Sequence, residues 1–180
     1  MKGNNKIMKL ELTRVKKNDK MLLKNLLELY ENEPNDYEEI NANENENKPY
    51  EYKHLDRYFT WENWLAYFIM ADGNHAGFVL ISPDSVALDI PTDYSIYEFF
   101  VMPEYRRLGI GRFAVNSILD MYKGNWQLKR DPRDKNSVPF WNKVIDEYTN
   151  GNFEIKESYP NSGGGTYSGG VWGDVFFFES

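Results

Sequence analysis

The sequence contains no cysteine and only two histidines, His54 and His75. The absence of cysteine excludes disulfide bonds, thiolate metal ligands and a cysteine nucleophile. Two histidines are too few for a histidine-rich metal site, so we expect no metal. Apolar runs such as 65–71 are far shorter than the roughly 20 residues that a helix needs to span a bilayer. No signal-peptide pattern opens the sequence, so we expect a cytoplasmic protein that is not embedded in a membrane.

A surplus of positive charge is also missing. The chain has 28 acidic and 21 basic side chains, which gives a net charge of −7. Because binding to nucleic acid depends on neutralising phosphates, we expect no nucleic-acid partner. The charge favours a cationic small molecule or a basic peptide, although acidity serves only solubility in most acidic proteins. At 180 residues with 41% apolar side chains, residues 1–180 fit one domain with its own core.

The hydrophobic pattern mixes strands with helices. Apolar residues at helical spacing predict helices over Met21–Tyr30, Gly109–Tyr122 and Ser137–Tyr148. Short or alternating apolar runs predict strands over Ile7–Val15, Leu65–Ala71, Ala76–Ser82, Tyr94–Met102, Trp126–Arg130, Phe153–Glu157 and Val171–Phe178. An Asp-Gly turn predicts a hairpin between the second and third of these strands. This order indicates an α/β fold of the α+β type, in which helices cover one mixed sheet.

The most informative stretch is a strand that leads through a glycine-bearing turn into a helix. The turn reads Arg106-Arg107-Leu108-Gly109-Ile110-Gly111. Unpaired N–H groups and the helix dipole make such a turn a site for a phosphate. A dinucleotide-binding turn fits less well, because Ala114 stands where a third glycine is usual and the next strand ends in basic residues. No Gly-Lys-Ser/Thr follows, so the P-loop signature is absent.

This run, together with the preceding Val101-Met102-Pro103, resembles the pyrophosphate loop of the GNAT superfamily of N-acetyltransferases, usually written Q/R-x-x-G-x-G/A. The resemblance covers most of the chain. It implies a mostly antiparallel sheet of six to seven strands, helices on both faces, and a V-shaped splay between the fourth and fifth strands. It also implies acetyl-CoA as acyl donor and an amine as acceptor. Homodimers are common in the family, so one is possible here.

The same resemblance assigns residues to the cofactor. Backbone groups of Val101 and Met102 would pair with the pantetheine arm, and one N–H would face the thioester oxygen. Asn136 matches a residue that contacts that arm, and the alternative for it is a helix N-cap. The pyrophosphate would bind the N–H groups of Leu108, Gly109, Ile110, Gly111 and Arg112, with Arg106 or Arg107 adding charge.

Glu98 is the candidate general base. A primary amine is mostly protonated at neutral pH, so a base must remove its proton directly or through water. Strand alternation predicts one face with Glu98, Phe100 and Met102, and the other with Tyr97, Phe99 and Val101. Burial between apolar neighbours would raise the carboxyl pKa towards a useful value. The alternatives are a water chain as base and a glutamate that is exposed or paired.

An acid that protonates the departing thiolate of CoA would be useful but is not obligatory. Trp141 stands where many family members have a tyrosine, and an indole is not an acid. Tyr97 and Tyr148 are the remaining candidates.

Together, the motif and the family resemblance lead us to expect an acetyl-CoA-dependent N-acyltransferase acting on a primary amine by direct attack in a ternary complex. The alternative is a non-catalytic acyl-CoA-binding sensor or partner module on the same fold.

Two further segments have open interpretations. The acidic segment 36–51, with Tyr52 and Tyr58 nearby, either binds a cationic amine through charge and cation–π contacts or is a solvated loop. The glycine-rich segment 161–170 either borders the cleft or is a flexible connection.

Overall fold

The computed structural model describes residues 7–34 and 51–180. Seven strands lie in one sheet: β1 (Leu10–Arg14), β2 (Leu65–Ala71), β3 (Asn74–Ser82), β4 (Tyr94–Val101), β5 (Asn125–Arg130), β6 (Phe153–Lys156) and β7 (Asp174–Glu179). Four helices accompany them: α1 (Lys20–Glu31), α2 (Arg57–Thr60), α3 (Ile110–Met121) and α4 (Ser137–Thr149). Most of the acidic segment, 36–50, lies outside the described residues.

The sheet has the order β1-β2-β3-β4-β5-β7-β6, and every neighbouring pair is antiparallel except β4 and β5. The predicted mixed, mostly antiparallel sheet is confirmed. Asp72 and Gly73 have φ of 48° and 83°, as the type I′ turn of the predicted hairpin requires. The last strand begins at Asp174 rather than Val171, because Val171 pairs with Tyr167 in an isolated bridge.

Alternation along β2 builds a core on each face of the sheet. Leu65, Tyr67 and Ile69 join the cluster that includes the apolar faces of α3 and α4. Ala66 and Phe68 point the other way, into the cluster that includes side chains of α1 and α2. Helices therefore cover both faces, as the resemblance implies.

The parallel pair of strands separates partway along its length. Pairing between β4 and β5 runs from Tyr94–Trp126 to Ile96–Leu128. Beyond that point β4 continues to Val101 and β5 to Arg130, and the register between the two strands ends. This is the predicted V-shaped splay between the fourth and fifth strands.

A bulge interrupts β4 where the splay begins. Leu80 of β3 pairs with Glu98, whereas the next residue, Ile81, pairs with Ile96. Tyr97 is therefore the extra residue of the bulge, and a bulge rotates the side chains on one side of it relative to simple alternation. The predicted alternation fails at this residue, with consequences for the site.

Candidate active site

The splay opens a cleft of about 1230 Å³. One wall is Tyr97–Val101, the part of β4 that does not pair with β5. The other wall begins at Leu128 of β5 and continues to Asp131. Residues at the beginnings of α3 and α4 also line the cleft. A groove between separated strands exposes backbone groups that no neighbouring strand satisfies, and helix starts add further donors.

Helix α3 presents an uncapped N-terminus to this cleft. The first intrahelical bond runs from Phe113 N–H to the Gly109 carbonyl at 3.0 Å, so the N–H groups of Ile110, Gly111 and Arg112 have no acceptor within the helix. The N-cap residue is Gly109, which has no side chain to accept from them. Three such donors and the positive end of a helix dipole attract an anion.

Glycine is required at the two positions of the turn for different structural reasons. Gly109 has φ +79°, the left-handed conformation, and the space where a Cβ would lie is open within 4 Å. A Cβ on Gly111 would lie 3.1 Å and 3.2 Å from two ring atoms of Phe140. Gly109 therefore permits the turn, and Gly111 lets the helix start pack against the aromatic floor of the cleft.

The three arginines in and next to the turn differ in whether their side chains already have partners within the fold. Arg106 donates to both carboxylate oxygens of Glu33, at 2.6 Å and 2.7 Å, and its Nε donates to the Val101 carbonyl at 2.8 Å. Arg112 pairs with Glu147 at 3.3 Å. Arg107 is exposed, with φ +61°, and in the part of the chain that the structure describes it forms no ion pair.

The end of β4 presents different backbone groups from those expected. Met102 N–H donates to the Ala76 carbonyl at 2.8 Å, so this donor is used within the sheet. Antiparallel alternation turns the backbone groups of Phe99 and Val101 away from β3 and towards the splay, where the Val101 carbonyl accepts from Arg106. Phe99 therefore also directs its backbone groups into the cleft. The motif does not reveal this, because only the strand register identifies it.

Glu98 lines the cleft, and two tyrosine hydroxyls contact its carboxylate. Tyr52 OH donates to its carboxylate at 3.1 Å, and Tyr30 OH makes a second hydrogen bond. Burial, and to a smaller extent the nearby Glu31 carboxylate, raises the pKa of Glu98 to about 7, although the two phenol hydrogen bonds oppose the rise. Such a carboxyl can accept and release a proton near neutral pH.

Tyr97 faces the same side as Glu98, which corrects the predicted alternation. Its ring lies 6.0 Å from Trp64 and 6.3 Å from His54, on the α1 and α2 side of the sheet. The bulge at Tyr97 causes this. Burial and the Glu98 carboxylate raise the pKa of Tyr97, which makes it a poorer proton donor at neutral pH than a free tyrosine.

Tyr148 lies away from the cleft. Its hydroxyl donates to Asp120 at 2.9 Å and accepts from Lys123 Nζ at 2.9 Å. Both partners follow the middle of α3, whereas the cleft lies at the first residues of that helix. The structure does not bring Tyr148 near Glu98 or the glycine turn, because it sits at the far end of α4.

The start of α4 lines the cleft, but Asn136 is not its capping side chain. Asp134 accepts from the N–H groups of Asn136 and Ser137, at 2.8 Å and 3.1 Å. The Asn136 side chain is exposed at the cleft. Trp141 is buried, with its ring 5.1 Å from Phe99, so it packs rather than presenting a polar group.

A smaller cavity of about 350 Å³ adjoins Glu98 and Tyr97. Its lining is rich in carboxylates and aromatic rings and includes Glu31, Glu51, Tyr52, Lys53 and His54. Partial burial and the neighbouring Arg57 and Lys53 lower the pKa of His54. The imidazole is therefore mostly neutral at pH 7, and the cavity has an excess of negative charge.

Tyr167 is a cleft residue that sequence reasoning did not single out. It belongs to the glycine-rich segment 161–170, whose composition fits either a border of the cleft or a flexible connection. No local pattern could identify it, because its position depends on contacts with β5.

Among residues 7–34 and 51–180, no group of three or more acidic or histidine side chains is arranged to hold a metal ion. The helices in these ranges are all too short or too polar to cross a membrane.

The sequence profile of the acetyltransferase (GNAT) family matches residues 22–145. No curated protein sequence matches the chain significantly. Among solved structures, the fold is similar to NAA60 of Arabidopsis thaliana in complex with a bisubstrate analogue (10% identity, TM-score 0.61), covering 96% of this chain and 99% of that one. It is also similar to the ribosomal-protein-S18-alanine N-acetyltransferase of Escherichia coli (14%, TM-score 0.57, covering 95% and 94%). An aminoglycoside acetyltransferase from an uncultured soil metagenomic sample (15%, TM-score 0.51) matches over 75% and 86%.

Proposed function

The chain belongs to the acetyltransferase (GNAT) family, and we propose that it is an N-acetyltransferase using acetyl-CoA and a primary amine. The acetyl group passes by direct attack in a ternary complex, in one domain acting in the cytoplasm. The main support for the proposal is that two complementary features lie at the same cleft. These are the uncapped start of α3, which attracts phosphate, and Glu98, whose pKa of about 7 suits a general base.

The described residues fit acetyl-CoA as the acyl donor. The N–H groups of Ile110, Gly111 and Arg112 would hold the pyrophosphate, and Arg107 would add charge. The N–H groups of Phe99 and Val101 face the part of the cleft where a pantetheine arm would run. A volume of about 1230 Å³ exceeds that of most small-ligand pockets. Bound there, acetyl-CoA supplies an acetyl group activated as a thioester.

Glu98 removes the proton that keeps the amine from attacking. At neutral pH a substantial fraction of this carboxyl is ionised, because its pKa is about 7. The hydroxyls of Tyr52 and Tyr30 donate to the carboxylate and fix its orientation. The smaller cavity beside it would hold the acceptor, and its negative charge favours a cationic amine.

Charge that develops on the carbonyl oxygen is stabilised by the cleft-facing N–H of Val101. The departing thiolate needs no dedicated acid, because a thiol pKa of about 8.5 makes it an adequate leaving group. This agrees with Trp141, which cannot supply a proton, and with Tyr97, whose raised pKa makes it a weak donor.

A second candidate is a non-catalytic module that binds acyl-CoA as a sensor or partner protein. The buried Trp141 favours it, because this residue stands where the family motif usually has a tyrosine acid. The anion site at α3 serves either function equally well. The candidates differ only in the use of Glu98.

A thiol-release assay with acetyl-CoA distinguishes the candidates. The acceptor panel contains 1,5-diaminopentane, kanamycin, a peptide with an N-terminal alanine, and glycine. We expect saturable thiol release with a cationic member and none above background with glycine, whose carboxylate the acidic cavity repels. Binding of CoA without release for any member would favour the module, and absence of CoA binding would contradict both candidates.

A further inference from the structure

The segment 161–170 contains five glycines, which in isolation would make it a flexible connection. In the structure it is tied down at its first end by a short stretch of sheet-like pairing. Ser162 forms a bridge with Ala87, and Gly163 N–H donates to the Val86 carbonyl at 2.7 Å. The segment therefore leaves β6 along a fixed path.

Lys129 is the second tie, and it lies just beyond the last β4–β5 pair. Its Nζ donates to the carbonyls of Gly165 and Gly163, at 2.5 Å and 3.1 Å. The same ammonium lies 4.9 Å from the centre of the Tyr167 ring, within range of a cation–π contact. A Cβ on Gly173 would lie 2.6 Å and 2.8 Å from Lys129 side-chain atoms. Glycine at 173 thus leaves the lysine room to cross the chain.

Arg133 is the third tie. Its guanidinium donates to the Ser168 carbonyl at 3.0 Å and is itself held by Asp131, with contacts at 2.6 Å and 3.0 Å. Between these ties, Tyr167 N–H donates to the Val171 carbonyl at 2.8 Å. Tyr167 is therefore fixed on both sides in a segment whose composition alone suggests mobility.

The fixed position puts Tyr167 at the Glu98 side of the cleft. Its side chain is half-buried and lines the cleft together with Tyr30 and Glu31. Tyr167 is close enough to Tyr30 to contribute to the rise in the pKa of that phenol, and Tyr30 is one of the two donors to Glu98. The phosphate site at the start of α3 follows the C-terminal end of β4, beyond Val101.

We infer that Tyr167 is a specificity-determining residue for the amine acceptor, held in place by Lys129. The inference rests on the proposed function, because it assigns Tyr167 to the amine side of that reaction. The Tyr167 ring forms a wall against which the acceptor's carbon chain packs, opposite the tyrosines around Glu98. Lys129 acts through the segment and is a positioning residue.

The test uses Tyr167→Ala, Tyr167→Phe and Lys129→Met, with Tyr159→Phe as the matched control. Tyr159 precedes the same segment, but its hydroxyl donates to the exposed Asp89 rather than facing the cleft. For each variant, KM and kcat are measured with the panel amine that has the highest kcat/KM, at saturating acetyl-CoA. The Kd of CoA is measured by calorimetry, and hydrogen exchange is followed in peptides covering 162–170.

Tyr167→Ala is expected to raise KM for the amine about tenfold, the scale of one well-packed hydrophobic contact, with the Kd of CoA within twofold of wild type. Tyr167→Phe and Tyr159→Phe are expected to stay near wild type. Lys129→Met is expected to raise the amine KM and to speed exchange in 162–170 about tenfold.

Three results would overturn the inference while leaving the proposed function intact. An unchanged amine KM in Tyr167→Ala would remove Tyr167 from the acceptor side. A loss of kcat in Tyr167→Phe with unchanged KM would make the hydroxyl a proton donor instead. Unchanged exchange in Lys129→Met would show that the lysine does not hold the segment. Absence of CoA binding to the wild-type protein would instead contradict the proposed function itself.

Discussion

Arg106 and Glu33 form a bidentate ion pair, with N–O distances of 2.6 Å and 2.7 Å. The same guanidinium donates to the Val101 carbonyl at 2.8 Å and lies over the Phe100 ring. The contact therefore ties the chain after α1 to the end of β4. Family resemblance assigned Arg106 to phosphate binding, but its donors are used inside the fold, so we place it in the support of the cleft wall.

Arg106→Lys is predicted to lower the free energy of unfolding by about 1 kcal/mol, because lysine cannot donate to both carboxylate oxygens and to Val101 at once. Urea unfolding of Arg106→Lys, Glu33→Gln and the double variant measures the coupling. We expect the double variant to be about as stable as either single one. Fully additive losses would show that the pair contributes no coupling.

Arg107→Gln is the matched comparison at the neighbouring residue. Because Arg107 is exposed and forms no ion pair among the described residues, we expect little change in stability and weaker CoA binding. If Arg106→Lys weakened CoA binding more than Arg107→Gln without losing stability, the two arginines would have to exchange roles.

The activity of the protein should depend on the ionisation of Glu98. Because the carboxylate must be ionised to accept a proton, kcat at saturating substrates is predicted to rise with pH through about 7 and then level off. Glu98→Gln should lower kcat about 100-fold and abolish this pH limb. A Gln variant with wild-type kcat and an unchanged profile would identify water as the base.

Glu98 should also make stability depend on pH. Its pKa in the folded protein is raised from 4.5 to about 7, so the folded state binds the proton more tightly than the unfolded state. Stability from this group is therefore full below pH 4.5 and falls as pH rises through 7, by up to about 3 kcal/mol. Glu98→Gln, which does not ionise, should become more stable relative to wild type between pH 5 and 8 in urea titrations. An equal difference at both pH values would contradict the buried, raised carboxyl.

Gly109→Ala and Gly73→Ala form a matched pair for the glycine turn. Both residues have positive φ, +79° and +83°, and open space where a Cβ would lie, so each substitution should cost about 1–2 kcal/mol of stability. Gly73 lies in the β2–β3 turn. Only Gly109→Ala is predicted to weaken CoA binding, about tenfold, in calorimetric titrations. Equal effects on CoA in both variants would mean that the turn matters for stability alone.

The sequence predicted most helices and strands, because these depend on local patterns. Apolar spacing identified α3 and α4, and the Asp-Gly turn identified the β2–β3 hairpin. The place of Glu98 on a strand beside the motif predicts it as the base, and that role stays a prediction. Its two phenol partners could not be predicted, because Tyr30 belongs to an apolar helix stripe and Tyr52 to a segment without a clear pattern.

The remainder of the site depends on contacts between distant parts of the chain. The bulge at Tyr97 follows from pairing with β3 and reverses the direction that simple alternation predicts. Arg106 matches a motif position, yet Glu33, 73 residues earlier, determines what it binds. Tyr167 lines the cleft within a glycine-rich segment that Lys129 and Arg133, from other parts of the chain, contact through hydrogen bonds. None of these relationships leaves a signal at the residues themselves.

We predict that the start of α3 binds the pyrophosphate of CoA in the cleft. Isothermal titration of the wild-type protein with CoA tests it most directly. We predict one site per chain with a Kd below about 1 mM, the upper end of the range usual for enzyme substrates, and weaker binding in Gly109→Ala than in Gly73→Ala. Folded protein that releases or absorbs no heat with CoA at millimolar concentration would contradict the account.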